Sequence, residues 1–473
     1  MKFVRSAGAR VLLVGLLLAM PGVAFAHGHL KSSSPAAGAH LATTPREVRL
    51  EFSEVPDLTF SSVKLIGQDG REIALGPLGY TAESRRAVSA AIRGELLAGT
   101  YVVQWQLAGD DGHPIRGRFD FVVASGAMGA GQDSGMVMHQ DPASTPEGNG
   151  FGADSVAYVL VRWLQFMALL LTIGAVSFRQ FVLAFLRRKE DPDSPMLDIA
   201  EARAARVGHL AAGVLVITLL LRLLAQSYAM HGAAGAWNIG LSVQMIQKTM
   251  WGKGWLLQLA GVIVAGLGFH LADRARRAGN LGTPGTRRFG WQLATLGAVL
   301  LAFSPAFSGH ASASPKLRAL AVLADGVHVM SASSWLGSLA LVLLAGLPAA
   351  MRLPESDRGP MVSELINAFS PVALASAALA ASSGVFAAWL HVGLIPNLWG
   401  TRYGITLLVK LTILGVVALT GFYNWRFVKP RLGTEHATMH LRRSARVEVA
   451  VAILVLLVTA VLVATPTSMD MVM

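Results

Sequence analysis

The chain contains no cysteine. Disulfides, Cys-based zinc sites, iron–sulfur centres and thiolate copper sites are therefore excluded. Charge is scarce too: 14% of the 473 residues are Asp, Glu, Lys or Arg, against 53% hydrophobic. With a mean hydropathy of +0.51, the chain is too apolar for a soluble globular protein and fits a multispan membrane protein. No G-x-x-x-x-G-K-[ST] loop is present, which argues against ATP as a direct energy source. Acidic residues are in the minority, 28 against 40 Lys and Arg, for a net charge of +12. This excess does not point to nucleic acid. The basic residues fall in short segments between apolar runs, as expected of loops facing the cytoplasm.

What is there divides into four parts. Residues 1–26 read as a signal peptide: Lys2, Arg5 and Arg10 form a basic start, "VLLVGLLLAM" the apolar region, and "AFA" (Ala24–Ala26) a small-x-small cleavage site. Cleavage there makes His27 the first residue. Residues 27–124 hold short alternating runs ("VRLEFSE", "SSVKLIGQDG", "RAVSAAI", "TYVVQWQLAG", "RGRFDFVV") punctuated by Gly, Pro and Asp. That pattern predicts a small immunoglobulin-like β-sandwich. Residues 125–152, rich in Gly, Ser and Pro with some Met, read as a flexible linker. Residues 153–473 carry eight long apolar runs, centred in 155–185, 207–229, 251–272, 290–309, 319–349, 366–391, 403–424 and 448–468. Each is long enough to cross a membrane as a helix. The loops after the first, third and seventh runs are rich in Arg and Lys, so the positive-inside rule places them in the cytoplasm. The β-domain and the C-terminus then lie on the outer, periplasmic side of a bacterial cytoplasmic membrane.

A free N-terminal histidine offers an α-amine and a ring nitrogen from one residue, and nitrogen ligands suit Cu(II). The cut before His27 would create such a chelate. The second signal is "GDDGHPIRG", where Asp111 and His113 stand one residue apart in a Gly/Pro turn between strands. Spacing of two on extended chain puts both on one side. Each signal alone has an ordinary alternative: a chance histidine, and an Asp-Gly turn with a surface histidine.

Together, the start "HGHLKSSSPAAGA", the strand "LEFSE" and the turn "DGHP" resemble the CopC family of periplasmic copper-binding β-sandwiches. The resemblance implies Cu(II) held by His27 (amine and ring), Asp111 and His113. It places Glu54 near the site, with His29 as a further or competing ligand. "RWLQFMALLLTIGAVSFR", "FSGHA", "DGVHVMSASSWLGSL" and "YGITLLVKLTIL" are similar to the CopD family of copper-resistance and copper-uptake membrane proteins. The fusion of the two is similar to bacterial copper-import proteins of the YcnJ type.

Ionisable groups inside spans are expensive, and are functional or paired. In the assigned topology His231, His310 and His391 lie at the outer ends of spans and His328 lies within the fifth. Single ligands converging from several helices are how bundles build metal sites. Met330 adds a thioether, suited to Cu(I). Asp325, three residues before His328, shares its helix face; it can orient the imidazole or pair with Lys410 or Arg222. His209, His270, His436 and His440 fall on the cytoplasmic side, as exit ligands or solvated loop residues. The expectation is a non-enzymatic protein for copper binding and transport, with copper ions and the lipid membrane as partners. Two other classes compete: a haem- or quinol-linked membrane oxidoreductase, and a copper sensor or tolerance protein that does not transport.

Overall fold

The computed structural model describes residues 30–53, 55–108, 114–124, 155–189, 194–277, 284–307, 318–392, 394–428 and 435–465. The expectations on His27, His29, Glu54, Asp111, His113 and His310 lie outside the described residues, as do the signal peptide and the linker. So does the side chain of His391. The chain divides into two compact units. One comprises Ala153–Leu224 and Ile246–Ser468, with Met1–Ala24. The other comprises Phe25–Gly152 and Ala225–Met245, with Met469–Met473.

The second unit contains the expected β-sandwich. One sheet has the order β1 (Leu30–Ser34), β3 (Glu47–Phe52), β7 (Ala87–Ala91), β6 (Gly79–Tyr80). The other has the order β2 (His40–Leu41), β9 (Pro114–Val123), β8 (Gly99–Ala108), β4 (Asp57–Gly67), β5 (Glu72–Ile73). Only the β2–β9 pairing is parallel among the described strands. The period-two pattern does what the sequence predicts: in β3, Val48, Leu50 and Phe52 are buried while Arg49 and Glu51 between them are half-exposed. These side chains meet Leu65, Val103, Trp105, Leu107 and Phe121 from the other sheet in one core.

Among the described residues, the membrane part has eight helices long and apolar enough to span a bilayer. They are α1 (Val156–Lys189), α2 (Pro195–Gly235), α4 (Met250–Arg277), α5 (Pro284–Phe307), α6 (Ala319–Ala350), α7 (Glu355–Val392), α9 (Arg402–Phe427) and α10 (Glu435–Leu462). Short helices α3 (Ile239–Lys248) and α8 (Asn397–Gly400) fall between them. Ser155 caps α1 by accepting from the Tyr158 N–H, and Thr401 caps α9 by accepting from that of Gly404. Helices α1 and α6 touch backbone to backbone. A Cβ on Gly174 would lie 2.5 Å from the Gly337 backbone, so neither position accepts a side chain. Beside them the Ser177 and Ser334 hydroxyls bond at 2.8 Å.

The most connected polar group in the bundle is an ion cluster joining three spans. Arg187 of α1 reaches Asp198 (2.9 Å) and Glu201 (2.8 Å) of α2. Arg287 of α5 grips the same two carboxylates, at 2.7 Å and 2.8 Å. The Trp291 indole N–H donates to Glu201 at 2.6 Å. Glu201 is 3% exposed, so its charge is tolerated only because both oxygens are engaged. Breaking a buried pair by removing one partner typically costs about 3–5 kcal/mol, because the other charge is left uncompensated. Glu201→Gln keeps the shape and leaves two guanidiniums facing one carboxylate. We expect a loss near that size, read as a clear fall in the melting temperature of the detergent-purified protein. An unchanged melting temperature would show that the cluster is not what locks α1, α2 and α5 together.

Candidate metal-binding residues

The described strand ends that flank the predicted ligand segments in sequence are neighbours at one end of the sandwich. β1 pairs antiparallel with β3, Leu30 opposite Phe52, so the chain before Leu30 and the chain after Phe52 leave from the same end. Four residues, 53–56, then lead to Asp57, which pairs with Ala108 at the end of β8. Ala108 in turn faces Pro114 at the start of β9. Leu30, Phe52, Asp57, Ala108 and Pro114, the described residues nearest in sequence to the predicted ligands, thus stand at neighbouring strand ends. This follows from register alone.

The same unit includes the last turn of α2. Helical geometry ends at Gly232, which adopts φ 69° and ψ −178°, a left-handed φ that L side chains avoid. Side chains of β8 and β9 donate to carbonyls of the turn before the break. Gln106 Nε2 donates to the Met230 carbonyl at 2.6 Å. Arg116 Nη2 donates to the Ala229 carbonyl at 2.8 Å. Arg116 Nε also donates to Gln106 Oε1 at 2.8 Å, holding the amide in place. A guanidinium at a helix C-terminus also opposes the negative end of the helix dipole.

His231 follows directly. Its Nδ1 lies 3.1 Å from the Ser227 carbonyl and 3.3 Å from the Ser227 hydroxyl. A carbonyl only accepts, and the hydroxyl donates to the Ala236 carbonyl at 3.0 Å. Nδ1 therefore carries the hydrogen, and the ring lone pair is on Nε2. Nε2 is buried without a hydrogen-bond partner among the described residues. The Phe60 ring packs edge-on, 6.2 Å between centroids. An unmet buried polar atom costs about 1–3 kcal/mol. A neutral imidazole with Nδ1–H on a carbonyl and a bare Nε2 is the form in which histidine ligates metals.

His328 of α6 has the same arrangement. Its Nδ1 is 2.9 Å from the Ala380 carbonyl and 3.2 Å from Ser383 Oγ, both on α7. Ser383 spends its own hydrogen on the Leu379 carbonyl at 2.7 Å, so it too accepts and Nε2 is the free acceptor. The orienting partner is thus α7 and not Asp325, contrary to one expectation above. Asp325 feels the opposite charge of Lys410 on α9, without a direct ion pair. Arg222 is engaged elsewhere, donating to Gln258 at 3.2 Å and lying over Trp251. Met330 and Trp335 pack against the main core of the bundle.

Among the described residues no three His, Asp or Glu side chains converge on a metal position. His231 and His328 belong to different units and stand as separate sites. Sequence reasoning missed Gln106, Arg116 and Phe60 around His231, and Ala380 and Ser383 around His328. It also missed that the His209 and His270 rings lie 6.3 Å apart. Phe269 fills the space beside that pair, where a Cβ on Gly208 would lie 2.4 Å from its ring.

Three families match the chain: the CopC domain over residues 30–124, the copper resistance protein D-like N-terminal domain over 153–318, and copper resistance protein D over 363–462. The chain is similar to copper transport protein CutJ of Bacillus subtilis (strain 168), 25% identical over 460 residues, covering 96% of this chain and 77% of that protein. Its N-terminal part is similar to copper resistance protein C of Escherichia coli, 33% identical over 126 residues, 24% of this chain and 94% of that protein. Among solved structures, CopC from Methylosinus trichosporium OB3b aligns at 28% identity over 21% of this chain and 95% of that chain, with a TM-score of 0.20.

The break at Gly232 yields a structural prediction. With φ 69° and ψ −178°, Gly232 sits in a region essentially confined to glycine, where a side chain costs about 1–3 kcal/mol. Nothing lies within 4 Å of the added Cβ, so conformation alone sets the effect. Gly232→Ala and Gly232→Asn should both lower the melting temperature of the detergent-purified protein, each by about that amount. An unchanged melting temperature for Gly232→Ala would rule out a strained backbone at this position.

Proposed function

The chain belongs to the copper resistance family that joins a CopC domain to CopD membrane regions, and on that premise we propose that it captures copper outside a bacterial cytoplasmic membrane and carries it inward. The sandwich takes Cu(II) with His27, through its amine and ring, and with Asp111 and His113. Glu54 and His29 stand close to that set. Nitrogen and oxygen donors of this kind suit Cu(II). The membrane half accepts the ion along His231, His310, Asp325, His328, Met330 and His391, where imidazole and thioether suit Cu(I) as well. The sandwich and the C-terminus face the outer side, in keeping with the signal peptide and the loop charges. The protein acts as a carrier and not as an enzyme.

The observation that carries this reading is the register of the sandwich. Leu30 lies opposite Phe52, and Asp57 opposite Ala108 opposite Pro114, so the described strand ends next in sequence to the proposed ligands are neighbours, which supports the reading. The bundle adds His328, whose Nδ1 is tied to a carbonyl and whose Nε2 is left as a ligand. In the membrane, such an intramembrane histidine is a functional group by default.

Two measurements test the reading. The first is a Cu(II) titration of residues 27–124, followed by electron paramagnetic resonance. The domain has its own core, and a relative of nearly this length alone exists as a separate protein. Tight binding with a tetragonal nitrogen/oxygen spectrum is expected, lost when one alanine precedes His27. Equal binding by both forms would remove the N-terminal chelate from the site. The second is copper uptake by vesicles holding the full chain, where His328→Ala should lower the initial rate by about tenfold or more, the scale of losing an oriented ligand. Undiminished uptake would take His328 out of the path.

A further inference from the structure

We propose that Gln106 and Arg116 form a latch that holds the sandwich on the last turn of α2, so that the captured ion passes first to Nε2 of His231. This rests on the reading above that the sandwich captures copper. Three observations within the one unit point to it. The first is the pair of side-chain bonds to the Ala229 and Met230 carbonyls, with Arg116 also bracing Gln106. These carbonyls stand two and three residues before the helix break at Gly232. The second is position. Gln106 and Arg116 face each other across β8 and β9, and the 109–113 connection carrying Asp111 and His113 begins and ends three residues beyond them. At about 3.3 Å per residue, the latch stands roughly 7 Å from the strand ends Ala108 and Pro114 that flank that stretch of sequence. The third is His231 itself. It is the residue after Met230, whose carbonyl Gln106 grips, and its Nε2 is enclosed with no hydrogen-bond partner among the described residues.

The latch also explains why two polar residues occupy these strand positions. Neither side chain is turned to solvent alone; each donates to a carbonyl of the α2 turn. Gln106 and Arg116 are positioning residues, and they act through His231. Their removal should leave Cu(II) capture intact and slow the next step.

The test uses the full chain. Because it has no cysteine, an Arg116→Cys, Ala229→Cys pair gives an unambiguous adduct with a short bifunctional thiol reagent. An adduct is expected, because Gln106 still holds the Met230 carbonyl; its absence here and also in a Gln106→Cys, Ala229→Cys pair that keeps Arg116 overturns the latch whatever copper does. Next, copper uptake by vesicles is compared for wild type, Gln106→Ala/Arg116→Ala, Arg116→Lys, His231→Ala and the triple variant. The double variant should keep the Cu(II) resonance signal and take up copper about tenfold more slowly, a loss of coupling on the scale of a displaced orienting group. Arg116→Lys, which still offers a cationic donor, should recover part of the rate. The triple variant should be no slower than His231→Ala, because both changes break one step. Losses that multiply instead would show that the latch does not act through His231, and unchanged uptake by the double variant would dismiss the hand-over. An adduct in the double-cysteine variant, beside a wild-type chain that neither binds Cu(II) nor takes up copper, would sink the copper reading while sparing the docking.

Discussion

Hydrocarbon offers a polypeptide no hydrogen bonds, so every backbone and side-chain polar group within it must find a partner in the protein. Most of this chain answers by forming continuous helices. The informative places are those where a helix kinks or a charge intrudes. At Gly232 the helix kinks, and Arg116 and Gln106 donate to carbonyls of the turn before it. At Glu201 a charge intrudes, and two guanidiniums and an indole meet it. At Glu448 the Asn424 amide donates to the carboxylate and Ser444 donates to the same amide's oxygen. Thr172 and Thr218 return their hydroxyls to carbonyls one turn back. These are one rule applied at different sites.

The same constraint shapes how the spans meet. Lipid is as apolar as leucine, so hydrophobic burial does not by itself hold membrane helices together, and small residues that permit close approach do much of that work. Gly174 and Gly337 bring α1 and α6 to backbone contact, with the Ser177–Ser334 bond alongside. The contact falls in a π-helical stretch of α6, Ser333–Gly337, where the ladder is rewound by one residue. Two turns earlier on that helix is His328. A helix fixed on one side by α1 and on the other by α7 holds that imidazole against the Ala380 carbonyl with little freedom.

How much of this was legible in the sequence depends on range. Alternation made the strands readable, since Val48, Leu50 and Phe52 need only their neighbours to declare a buried face. Eight apolar runs made the spans readable for the same local reason. The three segments of the candidate site could be named from "HGH", "FSE" and "DGHP", but that the strand ends flanking them are neighbours required the pairing of Leu30 with Phe52 and of Asp57 with Ala108. The latch was invisible, because Gln106 and Met230 stand 124 residues apart and no local pattern marks a glutamine that will cap a helix. The partner of His328 misled for a related reason. Helical spacing offered Asp325 as its neighbour, whereas a packed helix 52 residues away supplied the carbonyl. Spacing along one helix predicts who can meet, and tertiary packing decides who does.

The absence of cysteine bears on the chemistry as much as on the fold. Thiolate is the soft ligand that holds copper most firmly, and a chain that must release its ion gains from doing without it. A path conducts when each site binds well enough to accept and weakly enough to let go, with another site at hand. His231 and His328 meet that condition in the same way. Each commits Nδ1–H to a backbone carbonyl and a serine oxygen, which fixes the ring and leaves one nitrogen, Nε2, for a metal. Each contributes a single neutral donor, and among the described residues neither is joined by two further His, Asp or Glu ligands. Such sites cannot trap an ion as a closed set of four ligands would. In the proposed reading, the tight site belongs to the sandwich, where a chelating N-terminus and a turn supply several donors at once. The descent from many donors to one, imposed by ligand count alone, then gives the ion somewhere to be held and somewhere to move.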